Sequence, residues 1–369
     1  MSFSIGESIL VYTVIFLVSV FFSWIHCQTG RSFFGGLAIF LPTLLSGIRG
    51  EYVGTDFKHY LGFSVALEQA EFMFPWDSLW TNIGGGYNME YGFSLLLWGL
   101  SCLFENKTIV FGIIYAMFLC FSYYGCVLLD RYNYCSEIHG KMSMCSRGRG
   151  GYAWVGYAVI LFSWLIFAFN GLRQYLAISV LFCCIPLFLQ RKYLKAGLFF
   201  FLALMFHKSA MFALPWVLFC GRKETEVART ILLFFVYVGV VIMFPWIARL
   251  AGYGSYLEDG RGSVVLGAIL VLPLIVFVFW LPKDRYFYFT SKGVFLLLYT
   301  AVVTSLFFYV SRLYAYSEMF IAVIAILLSQ ASPFRRYALW AWLFVYVVLY
   351  RFIYVGVIRC EPLYFELLK

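Results

Sequence analysis

Gly47-Ile-Arg-Gly-Glu-Tyr-Val-Gly-Thr-Asp-Phe-Lys-His-Tyr60 gathers an arginine, a glutamate, an aspartate, a lysine and a histidine into one short stretch of a chain in which only 12% of residues are charged. It follows directly on the apolar run 33–48. Its charges therefore begin where a hydrophobic helix would leave a bilayer. The surrounding chain supports that reading: 63% of its 369 residues are hydrophobic and 22% aromatic, more apolar surface than one water-soluble core could bury. The chain reads as an all-α, polytopic transmembrane helical bundle.

A spanning helix needs about 20 mostly apolar residues. Such runs recur at 9–25, 33–48, 108–129, 152–170, 173–189, 228–250, 263–281, 293–310, 312–330 and 337–358. Two stretches remain. The segment 91–104 is short for a span and suits a re-entrant or interfacial helix. The segment 196–220 is broken by His207-Lys208-Ser209 and again by Pro215, as two half-helices would be. This gives about 10–12 membrane segments, some re-entrant or broken, in a single integral membrane domain over 1–369. The first run, Ile9–Ile25, has no basic residue before it and no small-residue cleavage site after it, and reads as a retained helix.

Loop charges orient the bundle. With the amino terminus and 49–90 outside, the inner loops are 26–32, 130–151, 190–195, 221–229, 282–292 and 331–336. These hold sixteen of the 27 Lys and Arg residues but five of the 18 acidic ones, as the positive-inside rule requires. A full span at 91–104 would move the basic loop 130–151 outside, which favours the re-entrant reading. The net charge of +9 is thereby accounted for by cytoplasmic loops, not by nucleic acid. Most of the ten cysteines lie in apolar segments, where a thiol behaves as a small apolar group. The glycines of Arg147-Gly-Arg-Gly-Gly151 and Gly84–Gly86 lack the context of a phosphate loop and read as linkers.

In this topology 49–90 is an outer-face loop, and Arg49, Asp56, Asn170, Arg173, Gln174 and Arg312 all fall at that face. His207, at the tip of a broken hairpin, approaches the same side. Ionisable groups at membrane depth are costly and usually functional. Arg173 lies in Phe169-Asn-Gly-Leu-Arg-Gln-Tyr-Leu-Ala177 with apolar runs on both sides. Either it snorkels to phospholipid head groups, or, with the amides of Asn170 and Gln174, its guanidinium fork holds a phosphate or diphosphate. His207 either satisfies a helix break or acts as a proton acceptor or diphosphate contact, with Lys208 beside it as a second phosphate contact. Asp56, after Gly54-Thr55, is either a helix cap or the carboxylate that takes a proton from a sugar hydroxyl. Arg49 could pair with it or hold a phosphate. Arg312 is a third phosphate ligand and Glu318 a second carboxylate. No Asp-x-Asp pair, His-Glu-x-x-His or Gly-x-Ser-x-Gly motif occurs, so no metal site and no cofactor is implied.

Three motifs in this order, Arg49-x4-Gly54-Thr-Asp56-x3-Tyr60, Asn170-x2-Arg173-Gln174-x2-Ala177 and His207-x-Ser209-Ala210, together with Arg312 before a Tyr-rich helix and the tail Glu361-Pro-Leu-Tyr364, resemble the EpsG family of Wzy-type polysaccharide polymerases. The resemblance covers nearly the whole chain. It implies a bacterial inner-membrane glycosyltransferase, distantly like the multi-spanning lipid-dependent glycosyltransferases. Such an enzyme joins oligosaccharide repeat units carried on undecaprenyl diphosphate, at the periplasmic face, in O-antigen (lipopolysaccharide) or capsule synthesis. The implied partners are the lipid-linked oligosaccharide, membrane lipid and a chain-length regulator (a polysaccharide co-polymerase), and no nucleic acid. On the combined reading Arg173, with Arg49, Arg312 or Lys208, holds the donor diphosphate, and Asp56 or His207 is the catalytic base. Thr55, Tyr60, Asn170, Gln174, Ser209 and Glu318 support them. The rival readings are a flippase for the same lipid-linked units, which needs charged residues near mid-depth on several helices, and a lipid-linked oligosaccharide ligase, which would share the arginines.

Overall fold

Long apolar segments with few helix breakers become helices because, inside a bilayer, every backbone polar group must be satisfied within the segment. The computed structural model describes residues 5–48, 57–69, 90–139, 151–213, 311–329 and 333–357, with the isolated helical residues Phe235, Gly239, Met243 and Trp246. The described residues are mostly helical, with no strand among them, and the protein is an all-α polytopic membrane protein. Among the described residues, four helical stretches are long and apolar enough to cross a membrane: Gly6–Thr29, Lys107–Arg131, Leu172–Leu189 and Pro333–Val355. Shorter apolar helices lie between them. The apolar runs at 263–281 and 293–310 and most of 228–250 lie outside the described residues.

The helices are α1 (Ile5–Thr29), α2 (Ser32–Ile48), α3 (Phe57–Gln69), α4 (Tyr91–Leu103), α5 (Lys107–His139), α6 (Ala153–Val159), α7 (Ile166–Ala168), α8 (Leu172–Leu189), α9 (Tyr193–Phe206), α10 (Ser311–Ser329) and α11 (Pro333–Leu343). A π-helical turn, Ile160–Leu165, joins α6 to α7, and a second π-helical segment, Phe344–Val357, continues α11. α8 is the hub. It is apolar on nearly every face and buried almost throughout from Gln174 to Leu187, as expected of a helix surrounded by others. It packs between α5 and α9.

Three intervals differ from the sequence reading. The interval 49–90, read as an outer-face loop, contains a 13-residue helix, α3, over Phe57–Gln69. The basic interval 130–151 is not loop from its start: α5 continues to His139, since no Gly or Pro interrupts Arg131–His139 before Gly140. Asp130 instead caps the return of the chain, its Oδ1 accepting the Tyr152 N–H at 3.0 Å. The apolar run 152–170 is not one regular helix but α6, the π-helical turn and α7, closed by a turn at Asn170. Apolar periodicity does not register a single added residue per turn. Two of the described boundaries agree closely: α4 is a 13-residue helix, and the chain breaks at His207, which is extended (φ −158°, ψ 117°) between α9 and a 3₁₀ turn, Lys208–Ala213.

Long-range contacts sort the helix ends into two groups. At one end, the carboxyl terminus of α2 lies on the amino terminus of α5, Gly47 facing Thr108 and Gly112. Tyr115 donates its hydroxyl to Ala168 O at 3.2 Å, which brings the amino terminus of α8 to the same end, and the Phe57 ring meets Phe111 edge-on at 4.9 Å, bringing α3. At the opposite end His26 Nδ1 and the Tyr123 hydroxyl are 2.5 Å apart, and Trp340 Nε1 donates to Ser329 Oγ at 3.0 Å. Every residue of the site below belongs to the first group.

Candidate functional site

Glu90 immediately precedes α4. Its backbone is extended, and its carbonyl accepts both the Ser94 amide (3.0 Å) and the Ser94 hydroxyl (3.1 Å). Its carboxylate makes no capping bond to its own helix. Instead the carboxylate, only 8% of the residue being exposed, turns inward and accepts a bond from Arg173 Nη1. A close approach makes this possible. A Cβ on Gly92 would lie 2.7 Å from Met205 Cβ and 2.8 Å from the Met205 carbonyl oxygen, so only glycine lets the start of α4 sit against the end of α9.

Arg173 lies in the first turn of α8, where the helix dipole disfavours a cation. Its position is therefore not explained by helix stability, and the Glu90 carboxylate supplies the charge that offsets it. The guanidinium also lies over the Tyr60 ring, 5.9 Å from the centroid, and Tyr60 in turn packs against Phe93 of α4. α3, α4 and α8 thus converge on one arginine.

His207 follows the end of α9, where the dipole favours positive charge. Its Nε2 faces Glu90 Oε1 at 3.9 Å. On the other side of the ring, the Ser209 amide lies 3.3 Å from Nδ1 and the Ser209 hydroxyl 2.5 Å from it, while the same hydroxyl is 2.7 Å from the Tyr316 hydroxyl. A backbone N–H can only donate, so Nδ1 is the acceptor and the proton of the neutral ring sits on Nε2, toward Glu90. The hydrogen bonds then run in one sense, Tyr316 O–H to Ser209 and Ser209 O–H to His207 Nδ1, and they leave Nε2 facing the Glu90 carboxylate beyond direct hydrogen-bond distance. A phenol, a serine, an imidazole, a carboxylate and a guanidinium from α10, the 3₁₀ turn, α9, α4 and α8 make one array.

Of the residues marked by sequence, the structure brings together Tyr60, Arg173, His207 and Ser209. Asn170 and the buried Gln174 flank Arg173 at the same helix end, and Lys208 is exposed beside His207. Arg49, Thr55 and Asp56 lie outside the described residues, although Ile48 and Phe57 on either side of them belong to this end. Arg312 is in the first turn of α10, its side chain outside the described part. Glu318 is not in the array. It is wholly buried and pairs with Arg351 at 2.7 Å, accepting a further bond from the Tyr346 hydroxyl at 3.3 Å.

Two of the paired residues, Glu90 and Arg351, are not among those marked by sequence. Glu90 closes a long polar interval that also contains Glu51, Glu68, Glu71 and Asp77, and only its place one residue before an apolar helix sets it apart. Arg351 has apolar residues on both sides, the same signal that Arg173 gives.

The family model described as the EpsG family matches residues 32–368, nearly the whole chain, and the protein belongs to that family. No curated protein and no solved structure matches the chain significantly.

Proposed function

We propose that this EpsG-family protein is a polysaccharide polymerase that joins oligosaccharide repeat units carried on undecaprenyl diphosphate, at the periplasmic face of a bacterial inner membrane, through the Glu90–Arg173–His207 array. Family membership supports the polymerase-type activity. The observation that carries the site is the buried Glu90 carboxylate between a guanidinium and an imidazole at one end of the bundle. These are the groups that glycosyl transfer from a diphosphate needs: a cation for the leaving group and a base for the acceptor hydroxyl.

In the step, the hydroxyl at the non-reducing end of the acceptor unit attacks the anomeric carbon of the donor chain. The bond from that carbon to the diphosphate oxygen breaks, and undecaprenyl diphosphate leaves with the electron pair. Glu90 takes the hydroxyl proton. Arg173 turns its fork to the diphosphate and stabilises the charge that grows there. His207, with Nδ1 engaged by Ser209, presents Nε2–H toward the Glu90 carboxylate, 3.9 Å away, and closes on it as Arg173 turns to the phosphate. Tyr60 supplies an aromatic face to the guanidinium. Arg49, Arg312 and Lys208 are further diphosphate ligands on this reading, and Asn170 and Gln174 flank Arg173. The base role thereby moves from Asp56 or His207 to Glu90. A flippase would instead carry its charges on a path across the bilayer, whereas here the array gathers at helix ends.

The test is the purified protein in lipid nanodiscs, supplied with undecaprenyl-diphosphate-linked repeat units in the presence of a chelator. A ladder of products with one undecaprenyl diphosphate released per new linkage is expected. Arg173→Ala should lower kcat/KM by about a hundredfold to a thousandfold, the scale of losing one charge-stabilising donor. Absence of a ladder from the wild type, or an undiminished ladder from Arg173→Ala, refutes the proposal.

A further inference from the structure

We propose that the buried Glu318–Arg351 pair is a positioning device: it fixes the rotation of α10 so that Tyr316 reaches Ser209 and, through Ser209, His207 is held with Nε2 toward Glu90. This rests on the reading of the site given above.

Tyr316 and Glu318 are two residues apart on α10, about 200° around a helix with 3.6 residues per turn. They leave the helix on nearly opposite sides. Tyr316 reaches the 3₁₀ turn, its hydroxyl 2.7 Å from Ser209 Oγ. Glu318 reaches the π-helical continuation of α11, where Arg351 Nη2 donates to its Oε2 at 2.7 Å and the Tyr346 hydroxyl to its Oε1 at 3.3 Å. α10 is therefore gripped from two sides at the same level, and turning it enough to loosen one grip loosens the other.

The far side of the grip is itself anchored. Arg351 Nε donates to Ser163 Oγ at 3.4 Å, and its guanidinium lies 4.0 Å from the centroid of the Phe167 ring. Ser163 lies in the π-helical turn between α6 and α7, and Arg351 in the π-helical segment after α11, and these two segments pack on each other. π-Helical turns are costly interruptions that recur at functional sites. Here two of them face each other where a guanidinium enters between helices.

A buried ion pair is a poor way to gain stability, since well-packed apolar residues of similar volume do as well or better. It is a good way to fix a register, because only one rotation of α10 leaves neither charge orphaned. Register is what the site needs from α10, its contribution being one hydroxyl at hydrogen-bond distance.

The test compares purified variants of the full chain in nanodiscs, measuring kcat and KM for the lipid-linked unit together with thermal melting. Glu318→Gln is expected to lower kcat by about tenfold, a modest part of the hundredfold that a misplacement of about 1 Å can cost, with KM little changed. Tyr316→Phe should do the same, and the two together should be no worse than the poorer single variant, as residues acting through one path behave. Losses that multiply would overturn the proposal. Glu318→Met/Arg351→Met removes both charges of the pair, orphaning neither, and guards against simple misfolding. It should melt like the wild type yet stay slow, and recovery of kcat along with melting would show the pair to be merely structural. Glu90→Gln separates the two levels: full turnover there sinks the site and this inference together, whereas full turnover from Glu318→Gln with Glu90→Gln inactive sinks this inference alone.

Discussion

Glu90→Gln is expected to abolish measurable polymer growth, lowering kcat by about 10²- to 10⁴-fold, the range that a positioned general base contributes. The substitution keeps the size of the side chain and one carbonyl oxygen to accept from Arg173, so the packing of α4 against α9 at Gly92 and Met205 should survive. What it removes is the ability to take a proton. Because Arg173 still faces the substrate, binding of the lipid-linked unit should change little, and the loss should fall on kcat rather than KM. Steady-state kinetics with the purified variant checks this. Unchanged kcat in Glu90→Gln, with loss in Asp56→Asn, would return the base role to Asp56.

Arg351→Met should be strongly destabilising. It leaves the Glu318 carboxylate, 0% exposed, with only the Tyr346 hydroxyl at 3.3 Å among the bonds described above. Removing one partner of a buried pair costs about 3–5 kcal/mol, a large share of the marginal stability of a folded chain, about 5–15 kcal/mol. Tryptophan fluorescence during thermal melting in detergent, with the yield of membrane-inserted protein, gives the measurement. Adding Glu318→Met should restore most of the lost stability, because the orphaned charge is gone. Equal melting of wild type and Arg351→Met would mean that the carboxylate finds another partner or is held protonated.

The sequence and the structure agree where the signal is chemical and part company where it is geometric. Arg173 and His207 stand out in the sequence because a charge or an imidazole among apolar residues is costly at membrane depth. The helix break at His207 is legible for the same reason, since the polar triplet His207-Lys208-Ser209 interrupts an apolar run. Their meeting with Glu90 is not legible. It depends on α4 approaching α9 over a single glycine, and an acidic residue at the end of a polar interval resembles any other acidic loop residue. Glu318 shows the converse. Its place on a Tyr-rich helix opened by Arg312 marks it in the sequence as a second carboxylate of the site, yet helix rotation carries it to the face opposite Tyr316 and onto Arg351. Periodicity reports which residues are apolar. It does not report which of two polar residues on one helix turns toward a given neighbour.

The most direct test of the central claim is a cryo-EM structure of the protein in a nanodisc with an undecaprenyl-diphosphate-linked repeat unit bound. The account predicts the diphosphate on the Arg173 guanidinium, with Glu90 and His207 facing the sugar attached to it. A diphosphate bound at the opposite end of the bundle, near His26, Tyr123 and Asp130, would contradict it.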